Sequence, residues 1–181
     1  IFIGCYSGFS NTSGSNNIAI GQRSGVTGGT PGGLINLTTG SNCIIMGNSS
    51  HTLACIQIAW SPVSDIRDKH VYGSVPHGRD FLRGINPIKY TFKNRETGEI
   101  TDDRVRYGFS AQEVLEQEGN EGIIVNDSNP EKLGLTHDYM IPVLVNAIKE
   151  LDQENQELKA VNTQLIARLE AIENKVGITS S

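Results

Sequence analysis

Charge is almost missing from the first third of this sequence. Arg23 is the only Lys, Arg, Asp or Glu before position 60, whereas charges are frequent from Asp65 onward. That shift alone puts a boundary near residues 60–64. No apolar run reaches about 18 residues, so no transmembrane helix and no membrane insertion are expected. No basic stretch leads into an apolar signal core. The net charge is −5 and no Lys/Arg cluster stands out, which argues against nucleic acid as a partner. There is no Gly-rich phosphate loop and no cluster with metal-ligand spacing, so neither cofactor nor metal is implied. Asp102-Asp103 reads as a pair of turn carboxylates. The three cysteines, Cys5, Cys43 and Cys55, are odd in number and read as small buried apolar residues of a chain matured in a reducing compartment. The chain opens at Ile1 without Met and reads as a piece of something longer.

What the first sixty residues do have is a repeat. Ile1-Phe2-Ile3-Gly4-Cys5-Tyr6-Ser7 aligns with Ile18-Ala19-Ile20-Gly21-Gln22-Arg23-Ser24 and with Ile44-Ile45-Met46-Gly47-Asn48-Ser49-Ser50. Gly14-Ser15-Asn16-Asn17 and Gly40-Ser41-Asn42-Cys43 lead into the second and third copies. A turn-rich insertion, Gly28-Gly29-Thr30-Pro31-Gly32-Gly33, lengthens the second interval. Each copy reads as one short strand and a tight turn, a unit that buries no face alone and needs stacked neighbours or copies from other chains. The expected class is an all-β trimeric fibre, a β-prism or triple β-helix, over residues 1–63. The repeat resembles the Asn-x-Ala-Ile-Gly units of phage tail fibres and trimeric surface adhesins. Ala59-Trp60-Ser61-Pro62-Val63 closes it, and Pro62 pushes Ser61 toward extended backbone.

Next come Ser64-Asp65-Ile66-Arg67-Asp68-Lys69, then Asn86-Pro87-Ile88-Lys89-Tyr90, Tyr107-Gly108-Phe109-Ser110-Ala111-Gln112-Glu113-Val114, and Ile141-Pro142-Val143-Leu144-Val145-Asn146-Ala147-Ile148. In this order the motifs resemble the self-cleaving intramolecular chaperone at the C-terminus of phage tailspikes and tail fibres, endosialidase tailspikes included. The resemblance runs over roughly 64–175. It implies Ser64 as nucleophile, Lys69 as general base, the Val63–Ser64 bond as the one cut, and Asp65 and Arg67 as supporting motif residues. The chemistry is sound: a Ser hydroxyl needs a neighbour to take its proton, and a desolvated Lys can do so. Positions five apart lie about 140° from each other on a helix and on opposite faces of a strand. The pair therefore needs a turn between its members, or Lys69 of one chain serving Ser64 of another. Val71-Tyr72-Gly73-Ser74-Val75-Pro76-His77-Gly78 departs from the regular support expected behind Lys69, and His70 and His77 stand near enough in sequence to be weighed as proton-transfer assistants.

Residues 64–137 read as a small α+β body: a short helix from Asp80 to Ile85, a strand from Ile88 to Lys93, a returning strand from Val105 to Phe109, a helix opened by a Ser110 capping box, and a short strand Ile123-Ile124-Val125. Glu113 reads as structural. From about 138 to 176 one long helix carries the alternating core series Leu144, Ile148, Leu151, Asn155, Leu158, Asn162, Leu165, Leu169 and Ile172, an unbroken heptad pattern. Glu150, Glu154, Glu157, Lys159 and Arg168 lie off the seam and are expected to keep it soluble. The two Asn in the seam fix register at a cost in stability. Together with the resemblance, this predicts a homotrimeric coiled coil.

The expectation is therefore an intramolecular chaperone, made in the host cytoplasm, that trimerises and folds the upstream fibre segment of the same chain. It then releases itself as a single-turnover serine endopeptidase. The fibre stays on the virion and meets a host surface receptor or glycan. The alternative is a trimerisation foot that stays permanently attached to a fibrous adhesin.

Overall fold

The computed structural model describes residues 1–26, 35–119 and 121–177; the Gly28–Gly33 insertion lies outside them. Two compact units divide between Ser64 and Asp65.

In the N-terminal unit, β1 (Phe2–Ile3), β2 (Ile18–Ile20) and β3 (Ile44–Met46) form a parallel sheet in the order β1-β2-β3. Its register pairs Phe2 with Ala19 and Ala19 with Ile45, so equivalent positions of the three repeats lie side by side. Each repeat thus stacks on a neighbour from its own chain. The invariant pieces of the motif have local causes. Gly4, Gly21 and Gly47 end the three strands at φ of 122°, 115° and 87°. A Cβ on Gly4 would stand 2.7 Å from the Gly21 carbonyl carbon, so both the dihedral and the close approach call for Gly. The motif Ser ties one repeat to the next: Ser7 Oγ donates to the Ala19 carbonyl (2.8 Å) and Ser24 Oγ to that of Ile45 (3.2 Å). Buried Asn17 bridges the same way, donating to Gly40 O and accepting from Cys43 N–H. The apolar core is small, Ala19, Leu37 and Ile45. Strand residues on the other face, Ile3, Ile20 and Met46, form an exposed row. Cys5 and Cys55 are exposed and Cys43 is half-buried, all three as free thiols, which corrects the expectation of buried cysteines. With so little core, the unit has few places to hide them. Residues 52–65 carry no helix or strand.

The C-terminal unit is built around Phe81, Ile85, Val114, Ile124, Val125, Met140 and Val143. These come from α1 (Arg79–Arg83), α2 (Ala111–Glu118), β6 (Val125–Asn126), the first turns of α3 (Met140–Val176) and the loops between. Each large side chain so buried contributes about 1.5–3 kcal/mol. Ser110 caps α2 by accepting from Glu113 N–H. The reciprocal half of the capping box is absent: the Glu113 carboxylate accepts from Asn86 instead, from the backbone N–H at 3.1 Å and from Nδ2 at 3.4 Å. The Asn86-Pro87 and Ala111-Gln112-Glu113 motifs are thereby tied together. At the far end of α2, buried Glu118 accepts from the N–H groups of Ile123 (2.6 Å), Ile124 (2.5 Å) and Val125 (3.0 Å). That is why the expected strand over Ile123–Val125 shortens to β6, paired with β7 (Gly134–Leu135): two of its N–H groups are spent on a carboxylate before the ladder begins.

β4 (Pro87–Lys93) and β5 (Ile100–Phe109) make an antiparallel hairpin with a register shift between Tyr90 and Phe92. Arg106 lies over the Phe92 ring, 4.9 Å from its centroid, and pairs with Asp102. The Asp102 carboxyl is held below the usual value by the Arg104 backbone N–H and then by Arg106. α3 follows a 3-10 turn at His137–Tyr139 and runs for 37 residues, about 55 Å. Pro142 sits in its first turn, where no intrahelical N–H is lost. Only Met140, Val143 and Ala147 of α3 are buried. Gly177, in the left-handed region at φ 74°, ends it.

Candidate functional site

The segment leading to Ser64 is open. Trp60 and Val63 are exposed, Val63 at 87%, and Ser64 is exposed as well. Immediately after it, Ile66–Asp68 forms one 3-10 turn. Asp65 caps this turn by accepting from Arg67 N–H at 2.9 Å, and Arg67 folds back so that its Nη2 lies 2.5 Å from Asp65 Oδ2. The pairing lowers the Asp65 carboxyl and raises the Arg67 guanidinium, each chiefly through their side-chain hydrogen bond. Asp65 and Arg67 thus cap and pair locally, a modest contact at an exposed position. Lys69 ends the turn: its N–H donates to Ile66 O at 3.2 Å and its backbone returns to extended dihedrals. A turn therefore follows Ser64 and delivers Lys69 at its end, with the Lys69 side chain exposed.

Residues 69–77 have no regular structure. His70 stacks edge-on against Tyr72 on the surface. His77 belongs to the body: its ring lies against Phe81 (centroids 4.6 Å apart), and Nε2 stands 3.4 Å from Glu121 Oε2, within ion-pair reach but outside hydrogen-bond geometry. Beneath this stretch is a largely apolar cavity of about 400 Å³, lined among others by Val75, His77, Ile124, Tyr139 and Val143. Segment 72–77 is one wall of that cavity and is not part of the packed core. Its far end is held by polar contacts from α3. Asn146 Nδ2 donates to Val75 O (2.9 Å) and His77 O (3.2 Å). Glu150 accepts from Arg79 N–H at 2.8 Å. Glu154 pairs with the Arg79 guanidinium. Gly78 leaves room for the Glu150 carboxylate, which a Cβ there would strike.

The heptad series behaves differently. Leu144, Ile148, Leu151, Leu158, Leu165, Leu169 and Ile172 are all exposed, at 45–64%, and Asn155 and Asn162 share their face. Ile141, one step before Leu144, extends the same row and is also exposed. Flanking the row are Glu154, Val161 and Arg168 on one side and Lys159, Ile166 and Glu173 on the other. An apolar stripe of this length along a 37-residue helix, with the body packed on another face, has no partner among the described residues.

Sequence reading placed Glu150 and Glu154 among residues that merely keep the helix soluble. The structure corrects this, since both hold residue 79. It also adds Asn146, Glu118 and Ile141; of these, Ile141 was legible as the next member of the heptad. Among the described residues, no group of His, Cys, Asp and Glu could hold a metal, and no helix is long and apolar enough to cross a membrane.

With this geometry in place, the comparisons are specific. Residues 64–122 match a peptidase family described as the chaperone of endosialidase. This part of the chain is similar to that family's chaperone domain, and the match starts at the Ser of the Ser64–Lys69 motif. It ends before α3, so the helix is not covered by it. No curated protein and no solved structure matches the chain.

Proposed function

We propose that this chaperone-of-endosialidase segment, with α3, assembles three copies of the chain, templates the upstream fibre, and then severs the Val63–Ser64 bond. The observation that carries the reading is a coincidence of boundaries. The family match begins at Ser64, the compact units part directly after it, and the stretch before it is exposed and irregular. A new N-terminus at Ser64 would leave the family segment whole.

In this mechanism the Ser64 Oγ adds to the Val63 carbonyl carbon as Lys69 takes its proton. The amide C–N bond breaks, and the proton passes to the leaving amine. Water then hydrolyses the ester, leaving a Val63 carboxylate and a free Ser64 hydroxyl and amine. A lysine serves as base only when neutral, and burial favours that form. Lys69 is exposed in the single chain, so a neighbouring copy closing over it supplies the desolvation, and cutting follows assembly.

The exposed seam of α3 supports several copies. In parallel helices, each first-flank residue meets the second-flank residue five positions on in the neighbour. Here that puts Glu154 against Lys159, Val161 against Ile166 and Arg168 against Glu173. The exposed row of Ile3, Ile20 and Met46 gives the N-terminal unit an apolar face for the same copies. The product would be a trimeric tail fibre or tailspike on a virion, aimed at a host receptor or glycan. Loss of the chaperone removes the route by which the fibre could unfold, so its stability becomes kinetic.

The test is a gel of the purified chain. A fragment of about 13 kDa from the 19.6 kDa chain, running from Ser64 to Ser181, is expected to accumulate. Ser64→Ala and Lys69→Ala should each slow it by about 10³-fold or more. A chain that assembles and stays whole would instead be a permanent trimerisation foot.

A further inference from the structure

We infer that Asn146, Glu150 and Glu154 are positioning residues for this cleavage, clamping the chain just downstream of Lys69 to the assembly helix. The inference rests on the cleavage reading above. The three residues are spaced four apart, so they form one stripe along α3. Asn146 and Glu150 lie off the heptad row and its flanks, so closing the seam leaves their contacts in place, while Glu154, on the flank, is shared between Arg79 and the seam. Together they engage Val75, His77 and Arg79: the Asn146 amide donates to two carbonyls, and the Glu150 and Glu154 carboxylates accept from the Arg79 backbone N–H and guanidinium. His77 also rests its ring on Phe81, so these contacts all gather at the far end of the stretch that begins at Lys69. The stretch lies over a cavity, it has no regular structure, and Tyr72 in its middle is 95% exposed.

The consequence for Lys69 is one of reach. Val75 lies six positions on, an extended span of about 20 Å at most. A general base must come within about 3 Å of the hydroxyl it deprotonates. Pinning the chain at 75–79 ties that search to the helix through which the copies join, so assembly delivers Lys69 to a restricted volume. Without the clamp, the lysine segment swings from α1, and orientation is lost at a cost of about 10- to 100-fold in rate.

The experiment compares Asn146→Asp, Glu150→Ala and Glu150→Gln in the full chain. Three things are measured: melting midpoint, oligomeric state by sedimentation, and the rate at which the fragment appears. Asp at 146 keeps the shape but loses both donated hydrogen bonds. Gln at 150 keeps an acceptor for the Arg79 N–H, whereas Ala does not. Asn146→Asp and Glu150→Ala are expected to assemble normally and cut at least 10-fold more slowly, with Glu150→Gln within about 3-fold of wild type. Should Asn146→Asp fail to assemble, the Ala and Gln variants at 150 decide alone. Assembled clamp variants that cut at the wild-type rate overturn the inference and leave the cleavage reading standing; so does a Gln variant as slow as the Ala variant. An assembled wild-type chain that never cuts overturns the cleavage reading itself.

Discussion

The two units of this chain solve the same problem, stability with few apolar residues, in opposite ways. The N-terminal unit repeats a backbone solution. Its strands are two or three residues long, its core is three side chains, and it is held by glycines at fixed positive φ and by Ser and Asn side chains that reach the next repeat. The C-terminal unit has a seven-residue core gathered from distant segments, buried Glu118 tying three N–H groups, and a helix mostly unpacked. One unit is extendable, each repeat resting on its neighbour. The other closes by itself around α1, α2 and the start of α3, and leaves the heptad row of α3 exposed. Under the proposed assembly the order would be the body folding, the seam closing and the repeats stacking onto an aligned start.

Four perturbations sharpen that contrast. The largest effect is expected from Leu158→Asp, which puts a charge in the middle of the exposed row. It should leave the body folded but convert the assembly to monomers at micromolar concentration, as read by light scattering. If cutting depends on assembly, as proposed, the fragment should vanish with it. Next is the body core: Phe81→Ala removes a side chain that is 6% exposed and should cost about 3–5 kcal/mol in a urea melt. A smaller effect is expected in the repeat unit. Gly21→Ala forces a side chain into a φ of 115°, 3.3 Å from the Gly47 Cα, and should cost about 1–3 kcal/mol. Its signature is lost β signal with helix content unchanged in circular dichroism. The smallest concerns pH. The carboxyls of Asp65 and Asp102 are held below their ordinary value. Their contribution is therefore full above about pH 3.9 and is lost as pH falls through the depressed folded values. A melting midpoint that drops between pH 5 and pH 2, less steeply in Asp102→Asn, would show it.

What the sequence disclosed follows the range of each interaction. Aligned positions of the repeat pair in the strand register because Gly4, Gly21 and Gly47 answer to dihedrals within their own turn, and Ser7 and Ser24 to the adjacent strand. The heptad row was legible because its period is local. The spacing of Ser64 and Lys69 left open a turn between them or a meeting of two chains, and a 3-10 turn at Ile66–Asp68 lies between them. What stayed hidden acts over distance. Glu150 and Glu154 looked like any solvated helix face, since Arg79 is 71 and 75 residues away. Glu113 matched a capping box by spacing, yet its carboxylate was drawn to Asn86, 27 residues back. Glu118 gave no signal at all, because a carboxylate that collects backbone N–H groups leaves no pattern in side-chain identity.

The central claim is that the chaperone part begins, chemically, at Ser64. Mass measurement and N-terminal sequencing of the purified, refolded chain test it directly. The account predicts a fragment whose first residues are Ser64-Asp65-Ile66, absent from the Ser64→Ala variant. An assembled chain that stays intact, or a fragment beginning at any other residue, would contradict it.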